Sequence, residues 1–323
     1  MILCLGTTPA LQRTMIFQHL AINGVNRASH SIESPAGKSV NVAKVLAALG
    51  DAPLATGFLG GHHGQLLRQY LDTATIPHDF VNVAPQTRLC ITLIDRSNQT
   101  HTELIEESQP LAPPDFRALL DKLNTLLPRA EILTLSGTLP PNAPADFYAR
   151  CVSLANQASV PVILDAHGPP LLAALPARPT IVKPNRSELA KTLNLTLDSD
   201  SALRHAIRRL TDLGAQTVII TLGPDGALAF HSHRFYRITP PHIHAVNTIG
   251  SGDAFTAGLA SALAKSQPFP NALRLAAACG AANALTDLCG HVNPPDVTRL
   301  LPQIRIDSPT TLNSDPSSAS NPS

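Results

Sequence analysis

Residues 217–221 (TVIIT) and 227–230 (ALAF) are short apolar runs, and they end a stretch in which such runs alternate with longer helical patterns. The earlier apolar runs are 131–135 (EILTL), 161–164 (PVIL) and 180–182 (TIV). The helical patterns between the runs are 144–157 and 202–213. Continuous apolar runs are typical of parallel strands covered on both faces. The stretch therefore predicts an α/β fold, with a doubly wound, mostly parallel sheet and helices on both faces.

The rest of the chain extends this core at both ends. Residues 2–5 (ILCL) are a further strand candidate. Two segments, at about 13–34 and 87–106, carry shorter alternating patterns that predict a small antiparallel sheet acting as a lid. We expect one domain over residues 1–307. Residues 308–323, mostly Ser, Pro, Asn and Thr, predict a disordered tail because they can bury little apolar surface.

Composition and charge exclude several classes of protein. The 323-residue chain has 24 Lys and Arg against 23 Asp and Glu, and a net charge of +1 gives no basic surface for nucleic acid. No apolar run reaches the roughly 18 residues that span a membrane. The start, MILCLGTTPA, resembles a first strand and has no basic region of a signal peptide. Five cysteines without C-x-x-C spacing argue against a disulfide framework, so we expect a cytoplasmic protein.

The most informative motif is residues 247–258, NTIGSGDAFTAG, which lead into an apolar-periodic helix. A glycine turn at a helix N-terminus presents free N–H groups and the positive end of the helix dipole to an anion. An acidic residue in the first turn, such as Asp253, often serves only to stabilise the helix. Beside such an anion site, Asp253 is also a candidate general base.

These residues resemble the C-terminal signature of the PfkB/ribokinase family of carbohydrate kinases. Four further blocks resemble the family's motifs in the same order: 35–43 (PAGKSVNVA), 136–141 (SGTLPP), 182–189 (VKPNRSEL) and 221–227 (TLGPDGA). The resemblance covers most of the chain, from about residue 1 to residue 302. Within the family, the blocks are most similar to the phosphosugar branch of 1-phosphofructokinases and tagatose-6-phosphate kinases.

The resemblance implies a ribokinase-like fold with a small β-sheet lid. It implies an ATP-dependent kinase, with Mg²⁺, that phosphorylates a ketohexose monophosphate (fructose 1-phosphate or tagatose 6-phosphate) to a bisphosphate and releases ADP. The alternative is a kinase of the same family for another sugar or a nucleoside, or a weakly active sugar-binding relative. The implied partners are small molecules, and a homodimer through the lid is left open.

The resemblance also implies roles for individual residues in catalysis and in ATP binding. Asp253 is the implied base for the attacking hydroxyl. The amides that would stabilise the transferring phosphoryl group belong to Gly250, Ser251 and Gly252. Asn185 and Glu188, three residues apart at a helix start, are implied to hold Mg²⁺, in part through water; for Glu188 a capping role is the alternative. The implied contacts with ATP come from Asn185, Thr221, Gly223, Gly226 and Asn283.

The implied substrate-binding residues are Gln12, Arg27, Gly37, Lys38, Asn41, Arg88 and Ser136. Arg88 and Arg27, on different lid strands, would hold the substrate phosphate, because a guanidinium offers a bidentate fork; an ordinary surface arginine is the alternative, above all for Arg27. Lys38 and Asn41 lie three residues apart at a helix start and are predicted to face a cleft; a solvated helix start is the alternative, above all for Lys38. Ser136 would lie at the carboxyl end of a strand, where open α/β sheets bind ligands.

The sequence departs from the family's pattern at the sugar end of the site. The family's opening Asn-Pro-Ala-x-Asp, whose Asp binds sugar hydroxyls, reads TPALQ at residues 8–12 and ends in Gln12. A neutral amide donates and accepts hydrogen bonds but is not a charged acceptor. Two glycines of the N-terminal motif are replaced by Ala36 and Ser39, which narrows the approach to the backbone. The identity of the substrate is therefore the part of the resemblance that the residues specify least.

Two other interpretations have weak support. Residues 57–64 (GFLGGHHG) suggest a dinucleotide-dependent oxidoreductase, but their spacing is not G-x-G-x-x-G, they do not follow the first strand, and no suitable acid comes after them. The 13 histidines include pairs such as His242 and His244. No acidic or Cys cluster accompanies them, so a histidine metal site is not expected.

Overall fold

The computed structural model describes residues 1–308. Its strands, in chain order, are β1 (Ile2–Gly6), β2 (Ala10–Phe17), β3 (His30–Ala36), β4 (Pro53–Leu59), β5 (Val81–Asn82), β6 (Arg88–Asp95), β7 (Thr100–Ile105), β8 (Ile132–Ser136), β9 (Val162–Asp165), β10 (Ile181–Val182), β11 (Thr217–Thr221), β12 (Ala227–His231), β13 (Arg234–Thr239) and β14 (Arg305–Asp307). Each strand candidate of the sequence coincides with one of these to within a residue or so. The last part of the predicted tail, residues 309–323, lies outside the described residues.

The strands form two sheets. The large sheet has ten strands in the order β14-β13-β12-β11-β10-β9-β8-β1-β4-β5. From β5 to β11 every neighbouring pair is parallel, and β12, β13 and β14 add an antiparallel extension. This is the mostly parallel sheet that the continuous apolar runs predict, because each such strand is covered on both faces.

Helices cover both faces of the large sheet. They are α1 (Lys38–Ala48), α2 (Gly61–Thr73), α3 (Pro113–Leu126), α4 (Phe147–Gln157), α5 (Gly168–Ala174), α6 (Arg186–Leu193), α7 (Asp200–Asp212), α8 (Ser251–Ala264), α9 (Phe269–Ala284) and α10 (Pro294–Leu300). Strand β1 shows the division: Leu3 and Leu5 pack into one core cluster, whereas Ile2 and Cys4 pack into the other. Alternate side chains of a strand point to opposite faces, so one buried strand contributes to two cores.

The small sheet has four strands in the order β3-β2-β6-β7. It lies on the two segments for which the sequence predicts a lid, but the prediction of a purely antiparallel sheet is wrong. The β2–β3 and β6–β7 pairs are antiparallel, whereas β2 and β6 pair in parallel. Each of these two strands follows a parallel strand of the large sheet, β1 or β5. Both therefore leave the same edge in the same direction.

The described residues carry neither a disulfide nor a transmembrane helix. All five cysteines are buried and free, as their odd number and spacing predict. Within residues 1–308, no helix has the length and hydropathy needed to cross a membrane.

Candidate active site

Two adjoining cavities lie at the carboxyl edge of the large sheet. The first, of ≈ 490 Å³, is enclosed by this edge and by the small sheet. The second, of ≈ 800 Å³, is lined by residues of the segment 240–245 and of helices α8 and α9. Four residues line both cavities, so the cavities meet along a common wall: Asn185, Thr221, Thr248 and Gly252.

Asp253 lies on the wall of the first cavity, in the first turn of α8. Its side chain is buried, with 6% of its surface exposed, and its Oδ2 accepts a hydrogen bond from Asn41 Nδ2 at 2.8 Å. Burial raises the pKa of Asp253 to about 6, although the nearby Lys38 ammonium opposes the shift. A carboxyl group with this pKa is deprotonated at neutral pH and still basic enough to take a proton from a hydroxyl.

The glycine turn before α8 leaves free amides beside this carboxylate. Gly250 adopts φ 82°, and a Cβ there would lie 2.7 Å from Cys289 Sγ, so only glycine fits. Gly250 and Gly252 line the first cavity. The predicted donor at Ser251 is already engaged, because its N–H donates to the Thr248 carbonyl at 3.2 Å. Since the first helical N–H groups have no partner within the helix, Gly252 is the better-placed donor.

Asn283 supports this turn and lines neither cavity. The side chain, on α9, is fully buried. Its Nδ2 donates to the Ile249 carbonyl at 2.9 Å and to Ser251 Oγ at 3.2 Å, and its Oδ1 accepts from the His291 N–H at 3.1 Å. All of its polar atoms are used within the protein. The structure thus places Asn283 as a positioning residue of the turn, away from the ATP contact that the sequence predicts.

Asp165 forms the centre of a buried ionic network at the end of β9. Its Oδ1 accepts from Lys38 Nζ at 2.9 Å and its Oδ2 lies 2.8 Å from Lys183 Nζ. Burial opposes the ionisation of Asp165, but Lys183 and Lys38 hold its pKa well below the usual value. No sequence motif predicts a role for Asp165 or Lys183. The available signal was an acidic residue directly after the apolar run 161–164, where a parallel strand reaches its carboxyl edge.

Asn185 and Glu188 form a reciprocal cap at the start of α6. Asn185 Oδ1 accepts from the Glu188 N–H, and Glu188 Oε2 accepts from the Asn185 N–H, both at 2.8 Å. The capping role named as the alternative for Glu188 is therefore present. Its Oε1 lies outside the cap, 3.4 Å from Lys38 Nζ, and both Asn185 and Glu188 line the first cavity.

Asn185 and Glu188 alone supply only part of the ligands that a magnesium ion needs. Within residues 1–308, no group of three or more His, Cys, Asp or Glu side chains is arranged to hold a metal. Mg²⁺ is usually bound by one or two carboxylates together with substrate phosphates and water. Glu188 Oε1, which the cap does not use, fits that pattern on the wall of the first cavity, and its capping partner Asn185 lines both cavities.

Five of the predicted substrate-binding residues line the first cavity: Gln12, Gly37, Lys38, Asn41 and Arg88. Gln12 is buried and its Nε2 donates to Thr92 Oγ1 at 2.8 Å, which holds the amide in one orientation. Arg88 Nη1 and Nη2 donate to the Glu106 and Thr8 carbonyls at 3.4 and 3.1 Å, whereas the buried Nε has no hydrogen-bond partner within the described residues. Arg88 therefore keeps hydrogen-bonding capacity for a ligand.

Two predicted substrate-binding residues are not brought to either cavity. Ser136 is buried at the end of β8, and its Oγ has no hydrogen-bond partner within residues 1–308. Arg27 is exposed in the connection from β2 to β3, and so it does not lie on a strand as the sequence predicts. Their substrate-binding roles stay predictions.

The two positions where glycines are replaced differ in their consequences. Ala36 lines the first cavity, where its methyl group is expected to narrow the approach of a ligand to the backbone. Ser39 does not line it and is buried instead against Gly6, where a Cβ would lie 2.2 Å from Ser39 Oγ. The extra side chain at position 39 thus fills space that Gly6 leaves, and only Ala36 changes the cavity.

The second cavity combines a glycine-containing loop with an apolar wall. Thr221, Gly223 and Gly226 line it, in agreement with their predicted location. Gly226 has φ 85°, and a Cβ there would lie 1.9 Å from the Ile238 carbonyl oxygen, so the loop requires glycine. Apolar side chains including Phe255 form much of the remaining wall. A flat heteroaromatic group attached to phosphates suits such a combination.

Comparisons with known proteins agree with this geometry. The family described as pfkB family carbohydrate kinase matches residues 2–295. Phosphofructokinase-2 from Escherichia coli in complex with fructose-6-phosphate has a TM-score of 0.85 and 27% identity, over 94% of this chain and 98% of that chain. A Thermotoga maritima protein described as a possible 1-phosphofructokinase has a TM-score of 0.85 and 22% identity, over 96% and 99%.

A ribokinase shares the same architecture. The Arabidopsis thaliana ribokinase complexed with ribose and ATP has a TM-score of 0.74 and 20% identity, over 93% of this chain and 98% of that chain. At this identity, as for the Thermotoga protein, the similarity shows the fold alone. These matches confirm the predicted ribokinase-like α/β fold with its large, mostly parallel sheet.

Proposed function

Because the chain belongs to the pfkB family of carbohydrate kinases, we propose that it transfers the γ-phosphate of ATP to a hydroxyl of a ketohexose monophosphate, fructose 1-phosphate or tagatose 6-phosphate. The observation that carries this proposal is the position of Asp253, a buried carboxylate on the wall of a polar cavity that adjoins an apolar one. In this proposal the phosphosugar occupies the first cavity and ATP the second. The γ-phosphate then lies near the N-terminus of α8, which favours an anion.

The proposed reaction is a direct displacement at the γ-phosphorus. Asp253 accepts the proton of the attacking hydroxyl, the new bond forms between that oxygen and phosphorus, and the bond to the β-phosphate oxygen breaks to release ADP. The Gly252 amide donates to the transferring group. Glu188 and Asn185 would hold Mg²⁺, which neutralises phosphate charge when bound.

The charges of the first cavity support a phosphorylated sugar. The Lys38 ammonium is paired with the carboxylates of Asp165 and Glu188. Arg88, by contrast, has no carboxylate within ion-pair distance in the described part of the chain. A guanidinium without a carboxylate partner suits a phosphate, because it offers a charged fork of N–H donors.

Arg27 takes part in this proposal only within a homodimer through the small sheet. It is exposed, and the same connection carries Ile22 and Val25, whose side chains are 89% and 85% exposed. Large apolar side chains on a protruding connection favour contact with a second chain. Sedimentation equilibrium of the whole protein tests this assembly, and a monomer at all concentrations would remove Arg27 from the site.

A coupled assay of ADP release tests the proposed function. The panel comprises fructose 1-phosphate, tagatose 6-phosphate, fructose 6-phosphate, free fructose and ribose, each with ATP and Mg²⁺. We expect turnover with one of the ketohexose monophosphates. Turnover with the free sugars alone would overturn the phosphosugar proposal and favour a kinase for an unphosphorylated sugar. The expectation of a cytoplasmic location is separate and is tested by fractionation.

A further inference from the structure

One carboxylate of the small sheet lines the first cavity and has no role in the proposed reaction. Glu103 lies on β7, directly opposite Thr92 of β6, and Ile105 lies opposite Cys90. Glu103, Ile105 and Cys90 all line the cavity. Because alternate residues of a strand share a face, Glu103 belongs to the face of the small sheet that covers the site.

Glu103 differs from the other carboxylates of this region because it has no partner. Glu33 accepts from Arg13 Nε at 2.9 Å, Glu106 accepts from the Leu89 N–H at 2.8 Å, and Glu188 caps α6. Within residues 1–308, the Glu103 side chain forms neither a hydrogen bond nor an ion pair. Partial burial raises its pKa, an effect that Arg88 opposes. Its acceptor oxygens are therefore free to face a ligand.

The chemistry of a carboxylate limits what that ligand group can be. An ionised carboxylate only accepts hydrogen bonds, and it repels a phosphate. The nearby Gln12 uses an Nε2 hydrogen for Thr92, and its amide oxygen is a neutral, weaker acceptor than a carboxylate. Ala10, Ala36 and Ile105 offer no side-chain polar atom. Glu103 is thus the strong acceptor on this side of the cavity, and the groups that suit it are neutral donors such as sugar hydroxyls.

Arg88 and Glu103 provide opposite charges at different positions along the strands of the small sheet. Arg88 is the first residue of β6, and Thr92, the partner of Glu103, follows four residues later. At about 3.3 Å per residue, this corresponds to a rise of roughly 13 Å along the strand. A ligand with a phosphate at one end and hydroxyls at the other would bind this wall in one direction.

We propose that Glu103 is a specificity-determining residue that accepts hydrogen bonds from hydroxyls of the bound sugar and directs the substrate phosphate towards Arg88. The inference rests on the proposed function in that it takes the ligand of the first cavity to be a sugar phosphate. It adds an assignment of the hydroxyl-binding end of the cavity.

The test compares Glu103→Gln and Glu103→Ala with Glu107→Gln, a matched loss of charge just beyond β7 at an exposed residue that lines neither cavity. With the sugar phosphate that the panel identifies, we expect Glu103→Gln to raise KM about tenfold or more, since hydrogen bonds to charged groups are the strong ones. KM for ATP should change less than about twofold. Glu107→Gln should have the same KM values as the wild type. All three variants should keep the Tm of the wild type, because the side chains of Glu103 and Glu107 are exposed.

Deoxy analogues of the substrate show whether the effect is a direct contact. Removal of the hydroxyl that Glu103 binds should raise KM in the wild type and should have little further effect in Glu103→Ala. Additive effects for every deoxy analogue would overturn the proposal, because independent groups behave additively. An unchanged or lower KM for the sugar phosphate in Glu103→Gln would overturn it as well.

Calorimetric binding separates this inference from the proposed function. If the wild type turns over none of the sugar phosphates, the proposed function fails, and the same compounds are titrated into the wild type and Glu103→Gln. Weaker binding by Glu103→Gln then supports the role of Glu103. Equal binding, or no binding to either protein, overturns it.

Discussion

The first cavity has two walls that are built in opposite ways. Its floor, defined by Asp165, Lys183 and Asp253 at the carboxyl edge of the large sheet, has charged side chains that are at most 6% exposed. Its roof is the face of the small sheet, in which every residue of β7 is exposed. On the floor, Asp165 forms short ion pairs with Lys38 and Lys183, and Asp253 accepts a hydrogen bond from Asn41. Arg88 and Glu103 on the roof have no ion-pair partner within residues 1–308.

In the proposed function, this difference between floor and roof separates the reaction from the choice of substrate. A network of buried pairs holds its members in one geometry before any ligand arrives, which is what electrostatic catalysis requires. The exposed positions of β7 can change with little cost in stability. Gln12 and Ala36, two of the departures from the family's pattern, also line the cavity from the roof, but their side chains are buried. We therefore expect floor substitutions to affect turnover or stability and roof substitutions to affect binding of the sugar.

The largest expected effect belongs to the floor residue Asp253. Asp253→Asn removes the proton acceptor while it keeps the size of the side chain and a possible contact with Asn41. We expect kcat to fall by about 10²–10⁴, the usual contribution of a general base. The dissociation constant for ATP, measured by calorimetry, should change less than about twofold. A near-normal kcat would show that another group takes the proton.

The pH profile provides the control for this variant. Because burial raises the pKa of Asp253 to about 6, the basic form is present above that pH and is lost as the pH falls. In the wild type, kcat/KM for the sugar should decline about tenfold per pH unit below 6. The residual activity of Asp253→Asn should lack this decline. An identical acid limb in both proteins would assign the titration to a different group.

The next effect concerns the stability of the floor. Asp165→Asn removes the carboxylate beside Lys183, whose ammonium is 3% exposed and has no other carboxylate in ion-pair contact among the described residues. A buried charge without its partner costs about 3–5 kcal/mol. Urea denaturation should show a loss of this size in the free energy of unfolding.

Asp79→Asn is the matched control, since Asp79 pairs with Lys122 at the surface and its side chain is 49% exposed. Exposed pairs contribute about 0–1 kcal/mol. The double variant Asp165→Asn, Lys183→Met should recover part of the loss, because it removes the unpaired charge. Equal losses for Asp165→Asn and Asp79→Asn would show that burial does not make the floor pair more important for stability than an exposed pair.

The smallest of the three effects is expected on the roof. Arg88→Ala should raise KM for the sugar phosphate about 10- to 100-fold, because it removes charge-assisted hydrogen bonds to the phosphate. KM for ATP should stay nearly constant, as should kcat. Arg96→Ala, an exposed arginine just beyond the other end of β6, is the control and should match the wild type. Equal rises in both Michaelis constants would argue against a role restricted to the sugar.

Predictions that depend on neighbouring residues in the chain agree with the structure. The spacing of Asn185 and Glu188 allows a reciprocal cap, and both hydrogen bonds of that cap are present. The glycine turn leads into α8 and puts Asp253 in its first turn. These features need only a few residues and their backbone geometry, so a single sequence is sufficient to predict them.

Features that join distant parts of the chain were missed or misplaced. Lys38 and Asp165 are separated by 127 residues, and no local pattern indicates that they meet. Asn283 is a polar residue on a helix, and the sequence does not show that its amide is used up by the turn at Ile249. The position of Glu103 at the cavity could not be predicted, because the alternation of residues along a strand does not show which face of the sheet covers a cavity.

The amino-acid sequence by itself determined the fold class and the family and predicted the glycine turn that leads into α8, because apolar runs, glycine turns and caps act over short distances along the chain. Only the tertiary structure decided which charges neutralise each other and which stay free. That outcome depends on how the small sheet is set against the large one and on the burial that results. Burial changes the energy of a charge far more than its position in the sequence does.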